Sequence, residues 1–168
     1  MRHALPLRSI GALVGLIAVC VLSPPVDAAS PAGVLPADAR ALRYGPTAPE
    51  ILENPALRDK VRALFGADWN LGGQLRTAAP AFFPASSPLH MVRIGDQDYI
   101  AVSGCVPDSC AANRALLLIR PDGEHLMARI DEGGFSHYYD YRSGAPATQV
   151  PLPTIDRAWE AVEGVVLG

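Results

Sequence analysis

The chain has 168 residues, 49% hydrophobic and 7% aromatic, with 14 Lys+Arg against 17 Asp+Glu and a net charge of −3. So mildly acidic a balance lacks the basic excess that a nucleic-acid partner requires. The length supports one folded domain around one core.

Arg2 and Arg8 flank the start of the apolar run IGALVGLIAVCVL, residues 10–22, and Val26 and Ala28 follow at signal-peptidase spacing. This pattern predicts an export signal over residues 1–28, because the apolar run falls short of the about 20 residues that cross a membrane. Val19 precedes Cys20 where a lipidation signal places a small residue, so lipid anchoring at Cys20 is not expected. No later segment is long or apolar enough to form a membrane span. Removal of Arg2, Arg8 and Asp27 takes Lys+Arg from 14 to 12 and Asp+Glu from 17 to 16, a net of −4. That charge suits a basic protein partner. Cleavage also removes Cys20 and leaves Cys105 and Cys110, which an oxidising compartment pairs as a disulfide. Closing so short a ring stabilises by about 2 kcal/mol in the chain-entropy model. The bridge therefore shapes a loop more than it holds a fold together.

Residues 29–48, rich in Pro, Ala and Gly, read as an extended lead-in with little regular structure. The domain proper is expected over residues 49–168. Asn54 is placed to cap a helix whose first position is Pro55, with Leu57, Val61, Leu64 and Phe65 on one face, Arg58, Asp59 and Arg62 on the solvated side, and Gly66 as its end. After the prolines of PAFFPASSP, short apolar runs alternate with turn signals. Residues 89–94 and 99–103 form a first predicted hairpin about GDQD, and residues 114–120 and 124–130 a second about PDG. The ring from Cys105 to Cys110 connects the two. A fifth strand is expected over 135–141, and PTIDRAWEAVEG closes the chain as a helix capped by Thr154 that buries Ile155, Trp159 and Val162. The resulting fold class is α+β, an antiparallel sheet of about five strands covered by helices.

His90, His125 and His137 stand at no ligand spacing with one another or with a cysteine, so neither a metal nor another cofactor is expected. Ser136, His137 and Asp140 are close in sequence, but neighbours in a strand alternate between faces, and the segment reads as a half-buried aromatic strand. Taken alone, the cysteine ring can be a structural staple, a redox pair, half of a metal site, or a stiffened loop offered to a partner. Its four intervening residues and its place between strands differ from the two-residue spacing at a helix N-terminus that lowers a thiol pKa.

The stretch SGCVPDSCAAN, its preceding strand YIAVSG and the following AANRALLLIRPDG resemble the Ivy family, exported bacterial inhibitors of vertebrate lysozyme with a helix-covered antiparallel sheet and a protruding disulfide loop. The family's loop reads Cys-Lys-Pro-His-Asp-Cys. Cys105, Pro107 and Cys110 match it, whereas Val106, Asp108 and Ser109 stand where it has lysine, histidine and aspartate. The resemblance implies a periplasmic, non-enzymatic protein. It further implies that Cys105, Val106, Pro107, Asp108, Ser109 and Cys110 contact the active-site cleft of a vertebrate-type lysozyme or a lytic transglycosylase-like muramidase. It leaves a homodimer open.

Overall fold

The computed structural model describes residues 32–36, 38–149 and 152–166, with side chains through residue 163. The predicted export signal, with Cys20, lies outside the described residues. Six strands form one antiparallel sheet in chain order: β1 Ala32–Val34, β2 Leu89–Ile94, β3 Gln97–Cys105, β4 Asn113–Ile119, β5 His125–Glu132 and β6 Phe135–Arg142. Three helices, α1 Ala48–Leu52, α2 Arg58–Phe65 and α3 Pro153–Val166, accompany it. The α+β class and the two hairpins follow the sequence pattern. The strand count does not, because the supposed lead-in supplies β1, whose three residues pair with Val92–Ile94. It also supplies a 3-10 turn at Ala39–Leu42 that buries Ala41. A three-residue strand is too short to show an alternation, so no period marked it.

Strand periodicity divides the buried side chains between two faces. On face A, Ile100, Val102, Leu117, Ile119, Ala128 and Tyr139 pack against Leu57, Val61, Leu64 and Phe65 of the α2 region and against Phe82 and Phe83. On face B, Val92, Tyr99, Ala101, Leu116, Leu118 and Met127 pack against Ile155, Ala158, Trp159 and Val162 of α3. Burial on both faces explains why β4 reads ALLLI with no polar alternation. Each fully buried aliphatic or aromatic side chain contributes about 1.5–3 kcal/mol.

Local chemistry sets the helix ends. Asn54 caps a turn rather than the regular helix: its Oδ1 accepts from the Ala56 amide at 2.9 Å and its Nδ2 donates to the Tyr44 carbonyl at 2.8 Å. Leu57, at φ −120°, still lies outside the helical region, so α2 begins at Arg58. Gly66 ends it at φ 54°, with its amide donating to the Arg62 carbonyl. Thr154 is not a cap. Pro153 takes the first position of α3, where its fixed φ and missing N–H cost nothing, and the Leu152 carbonyl accepts from Ile155 at 3.0 Å. Between β2 and β3 the turn is only Gly95 and Asp96, with Gly95 at φ 64°, a conformation glycine adopts without a Cβ penalty.

One buried carboxylate ties the segment after α2 to the sheet. Asp68 is 1% exposed; it accepts from the Leu75 amide at 2.8 Å and from the Tyr139 hydroxyl at 3.0 Å. Burial, and then the Asp68 charge, push the Tyr139 phenol well above its ordinary pKa, which keeps it a donor. Replacement of Asp68 by Ala leaves two buried donors without partners, and the expected loss is about 2–5 kcal/mol. Urea unfolding should show a lower midpoint with an unchanged m-value.

Candidate functional site: the disulfide ring and its base

β3 ends at Cys105 and β4 begins at Asn113, with Cys105 opposite Arg114 in the ladder. The residues between them form the ring. Cys105 and Cys110 are disulfide-bonded with their Cα atoms 4.9 Å apart, inside the range a bridge spans. One tight turn lies within it, the Ser109 amide donating to the Val106 carbonyl at 3.0 Å, and a second leads out of it to β4, the Asn113 amide donating to the Ser109 carbonyl at 2.9 Å. A third bond closes the neck, from the Val106 amide to the Asn113 carbonyl at 3.1 Å.

Within this frame the six residues divide by exposure. Pro107, Asp108 and Cys110 are exposed, while Cys105, Val106 and Ser109 are half-buried. Val106 packs against the face A core, and the Ser109 hydroxyl accepts from Asn113 Nδ2 at 2.6 Å. Val106 and Ser109 thus belong to the ring's support. Asp108 is left as the charged tip, and among the described residues its carboxylate has no hydrogen bond or ion pair. Its φ of 63° is left-handed, a region that Asn, Asp and His enter more readily than other side chains.

The base of the ring is set by residues that the cysteine spacing does not reveal. Gly104 lies so close to the 82–88 segment that a Cβ there would stand 2.3 Å from the Phe82 carbonyl oxygen and 2.6 Å from Ser87 Oγ. Only glycine lets β3 pass that close. On the other side, the Gly133 amide donates to the Ala112 carbonyl at 3.3 Å, joining the β5–β6 turn to the ring.

Beside the ring, on face B, lies a cleft of about 430 Å³ whose walls include both cysteines, Leu116, Trp159 and Val162. Arg114 and Glu163 stand at its edge and are ion-paired. The Arg114 guanidinium also lies 5.2 Å from the Trp159 ring centroid, and that of Arg129 4.4 Å from it. These residues are tens of positions apart in the chain, and only the sheet register with the docking of α3 brings them together.

The remaining polar groups are separate. Ser136, His137 and Asp140 do not form a triad: the Ser136 hydroxyl donates to Asp131 at 2.7 Å, His137 stands opposite Ile130, and Asp140 Oδ1 lies 2.6 Å from His125 Nε2. The His125–Asp140 pair joins two strands at the end away from the ring and was not foreseen, since it depends on the β5–β6 register. Among the described residues no three His, Cys, Asp or Glu side chains gather as a metal ion needs, and no helix is long and apolar enough to cross a membrane. Compared with protein-family models, curated proteins and solved structures, the chain matches none.

Two outcomes test this geometry. Alkylation under denaturing, non-reducing conditions should leave Cys105 and Cys110 unmodified, and stoichiometric labelling would rule the bridge out. Gly104→Ala should destabilise by about 1–3 kcal/mol, since a Cβ against a backbone carbonyl forces a strand to shift. Thermal unfolding should register this as a lowered Tm, by about 2–8 °C per kcal/mol for a domain of this size class.

Proposed function

We propose that this protein is an exported, non-enzymatic inhibitor of lysozyme or of a related peptidoglycan-cleaving enzyme, acting in the periplasm by inserting a protruding Cys105–Cys110 ring into the active-site cleft. The observation that carries this reading is the covalently closed ring with an exposed Pro107–Asp108 tip on a fixed base. A pre-ordered tip loses little conformational freedom on binding, where an open loop forfeits about 0.5–1.5 kcal/mol per immobilised side chain. The sequence of ring and flanks, similar to the Ivy loop, supplies the class of partner.

Asp108 sets the chemistry of the contact. Lysozyme works with two carboxyl groups, one of which stays protonated up to about pH 6 in its apolar pocket. An ionised Asp108 accepts that proton's hydrogen bond, whereas the imidazole of the Ivy loop donates one. The second carboxylate opposes Asp108. Two like charges about 4 Å apart repel by about 1 kcal/mol in bulk water and about 4 kcal/mol at an effective dielectric of 20. Inhibition should therefore be stronger near pH 5 than near pH 8, because above about pH 6 both lysozyme carboxyl groups are ionised.

A second reading, an envelope-binding protein of the same fold that does not inhibit lysozyme, is favoured by the same residue, an acceptor where the Ivy loop has a donor. Asp108→His separates the two. Histidine enters the left-handed region nearly as readily as aspartate, so the ring keeps its shape. A charge-assisted hydrogen bond of about 1.5–3 kcal/mol should tighten lysozyme inhibition by about tenfold or more. Asp108→Gly, which removes the carboxylate without disturbing the Ser109–Asn113 bond, should abolish the pH dependence. Titration of lysozyme activity with the purified protein at both pH values reads all of these. Affinity flat with pH and no gain from histidine would leave the second reading standing.

A further inference from the structure

Of the ring proposed to enter a partner's active site, only the two cysteines line the cleft between the ring and α3, and Val106, Pro107, Asp108 and Ser109 do not. We propose that this cleft is a binding site for a small, uncharged, apolar molecule, about the size of one substituted aromatic ring, that carries a hydrogen-bond acceptor oxygen. Three observations lead to this ligand class.

The first is size and lining. A volume of about 430 Å³ lies within the about 300–1,000 Å³ of pockets that hold small molecules. Its walls are Pro88, Leu116, Trp159, Val162 and the disulfide, so an occupant is held by apolar burial and by contact with an indole ring.

The second is charge. Arg114 and Glu163 at the edge neutralise each other. Asp131, 3.9 Å from Arg114, is itself held by Arg129 at 2.9 Å. A charged ligand would have to break these pairs to be recognised, whereas an uncharged one leaves them in place.

The third is an unmet donor. Ser103 Oγ and Arg114 Nε, both belonging to cleft-lining residues, are buried without a hydrogen-bond partner. Ser103 stands opposite Leu116 and Cys105 opposite Arg114, so Ser103 and Arg114 share face B one diagonal step apart. Ser103 Oγ is buried as it stands, so the proposed contact requires rotation about χ1 to another staggered position, from which the hydroxyl donates to the acceptor oxygen of the ligand.

Acetophenone and ethylbenzene, which differ only by a carbonyl in place of a methylene, test this with the oxidised protein. The chain has 2 Trp, Trp69 and Trp159, whose indole N–H resonances report binding and are told apart in a Trp69→Phe variant. Both probes should shift the Trp159 resonance saturably and leave Trp69 in place. Ser103→Ala should weaken acetophenone by about threefold to tenfold, the worth of one neutral hydrogen bond, and leave ethylbenzene unchanged. Val162→Phe, which fills the cleft from α3, should weaken both at least tenfold. Should that variant fail to fold, Ala111→Leu at the exposed edge should do the same. No saturable shift of Trp159 up to the solubility limit of either probe would overturn the site. Equal effects of Ser103→Ala on the two probes would overturn the acceptor recognition.

Discussion

The ladder between β3 and β4, from Ile100 opposite Ile119 to Cys105 opposite Arg114, is the constraint on which the other features depend. Both strands lie inside a sheet that is buried on its two faces. A slip of one residue would send Leu117 and Ile119 to face B and Leu116 and Leu118 to face A, exchanging the partners of two cores at once. The same ladder decides where the chain leaves the sheet to form the ring. It also decides that Ser103, Arg114 and Leu116 share the face under α3. A strong hydrophobic demand along ALLLI thereby fixes the position of a loop whose own interactions are few.

Face B is joined to its helix by charge as well as by apolar contact. Trp159 of α3 lies beneath two guanidinium groups, those of Arg129 and Arg114, and each is held by carboxylates: Arg129 by Asp131 and Asp156, Arg114 by Glu163. The half-exposed Arg114–Glu163 pair contributes about 0–1 kcal/mol, the Arg129–Asp131 pair is more buried, and a cation over an aromatic face contributes about 0.5–1 kcal/mol at exposed sites. Their combined effect is directional. Asp156 also accepts from the Tyr138 hydroxyl at 2.9 Å, so α3 is fixed in rotation at its first turn by Asp156 and near its far end by Glu163. That rotation holds Trp159 and Val162 over the sheet and leaves the cleft beside the ring.

The features legible in the sequence were those written in local periods. Short apolar runs and the turn residues between them located β2 to β6 to within a few positions. The helical spacing of Val61, Leu64 and Phe65, and of Ile155, Trp159 and Val162, identified buried faces correctly. Features set by tertiary contact were not legible. β1 is recruited by the free edge of β2, and the cleft and the His125–Asp140 pair exist only once strands are in register. The start of α3 was misassigned for a local reason, since Thr154 and Pro153 both carry helix-start signals and the proline's fixed φ prevailed. At the site itself, the cysteine spacing indicated the ring, but the division between supporting Val106 and Ser109 and exposed Asp108 required the fold.

The conformation of Asp108 bears on how such a ring can change its chemistry without changing its shape. Between Cys105 and Cys110 the chain reverses in a single turn, Val106 to Ser109, whose third residue, Asp108, is left-handed. Most side chains are strained there by contact between Cβ and the backbone, which leaves Gly, Asn, Asp and His as the accessible set. Among these, Asp and His have opposite hydrogen-bonding character at neutral pH, acceptor against donor. The backbone thus restricts position 108 to residues that differ chiefly in what they offer a partner, while the Ser109–Asn113 and Val106 contacts that hold the ring are indifferent to that choice. An exchange at this position therefore alters the hydrogen-bonding character that the ring presents to solvent and leaves in place the contacts that hold the ring.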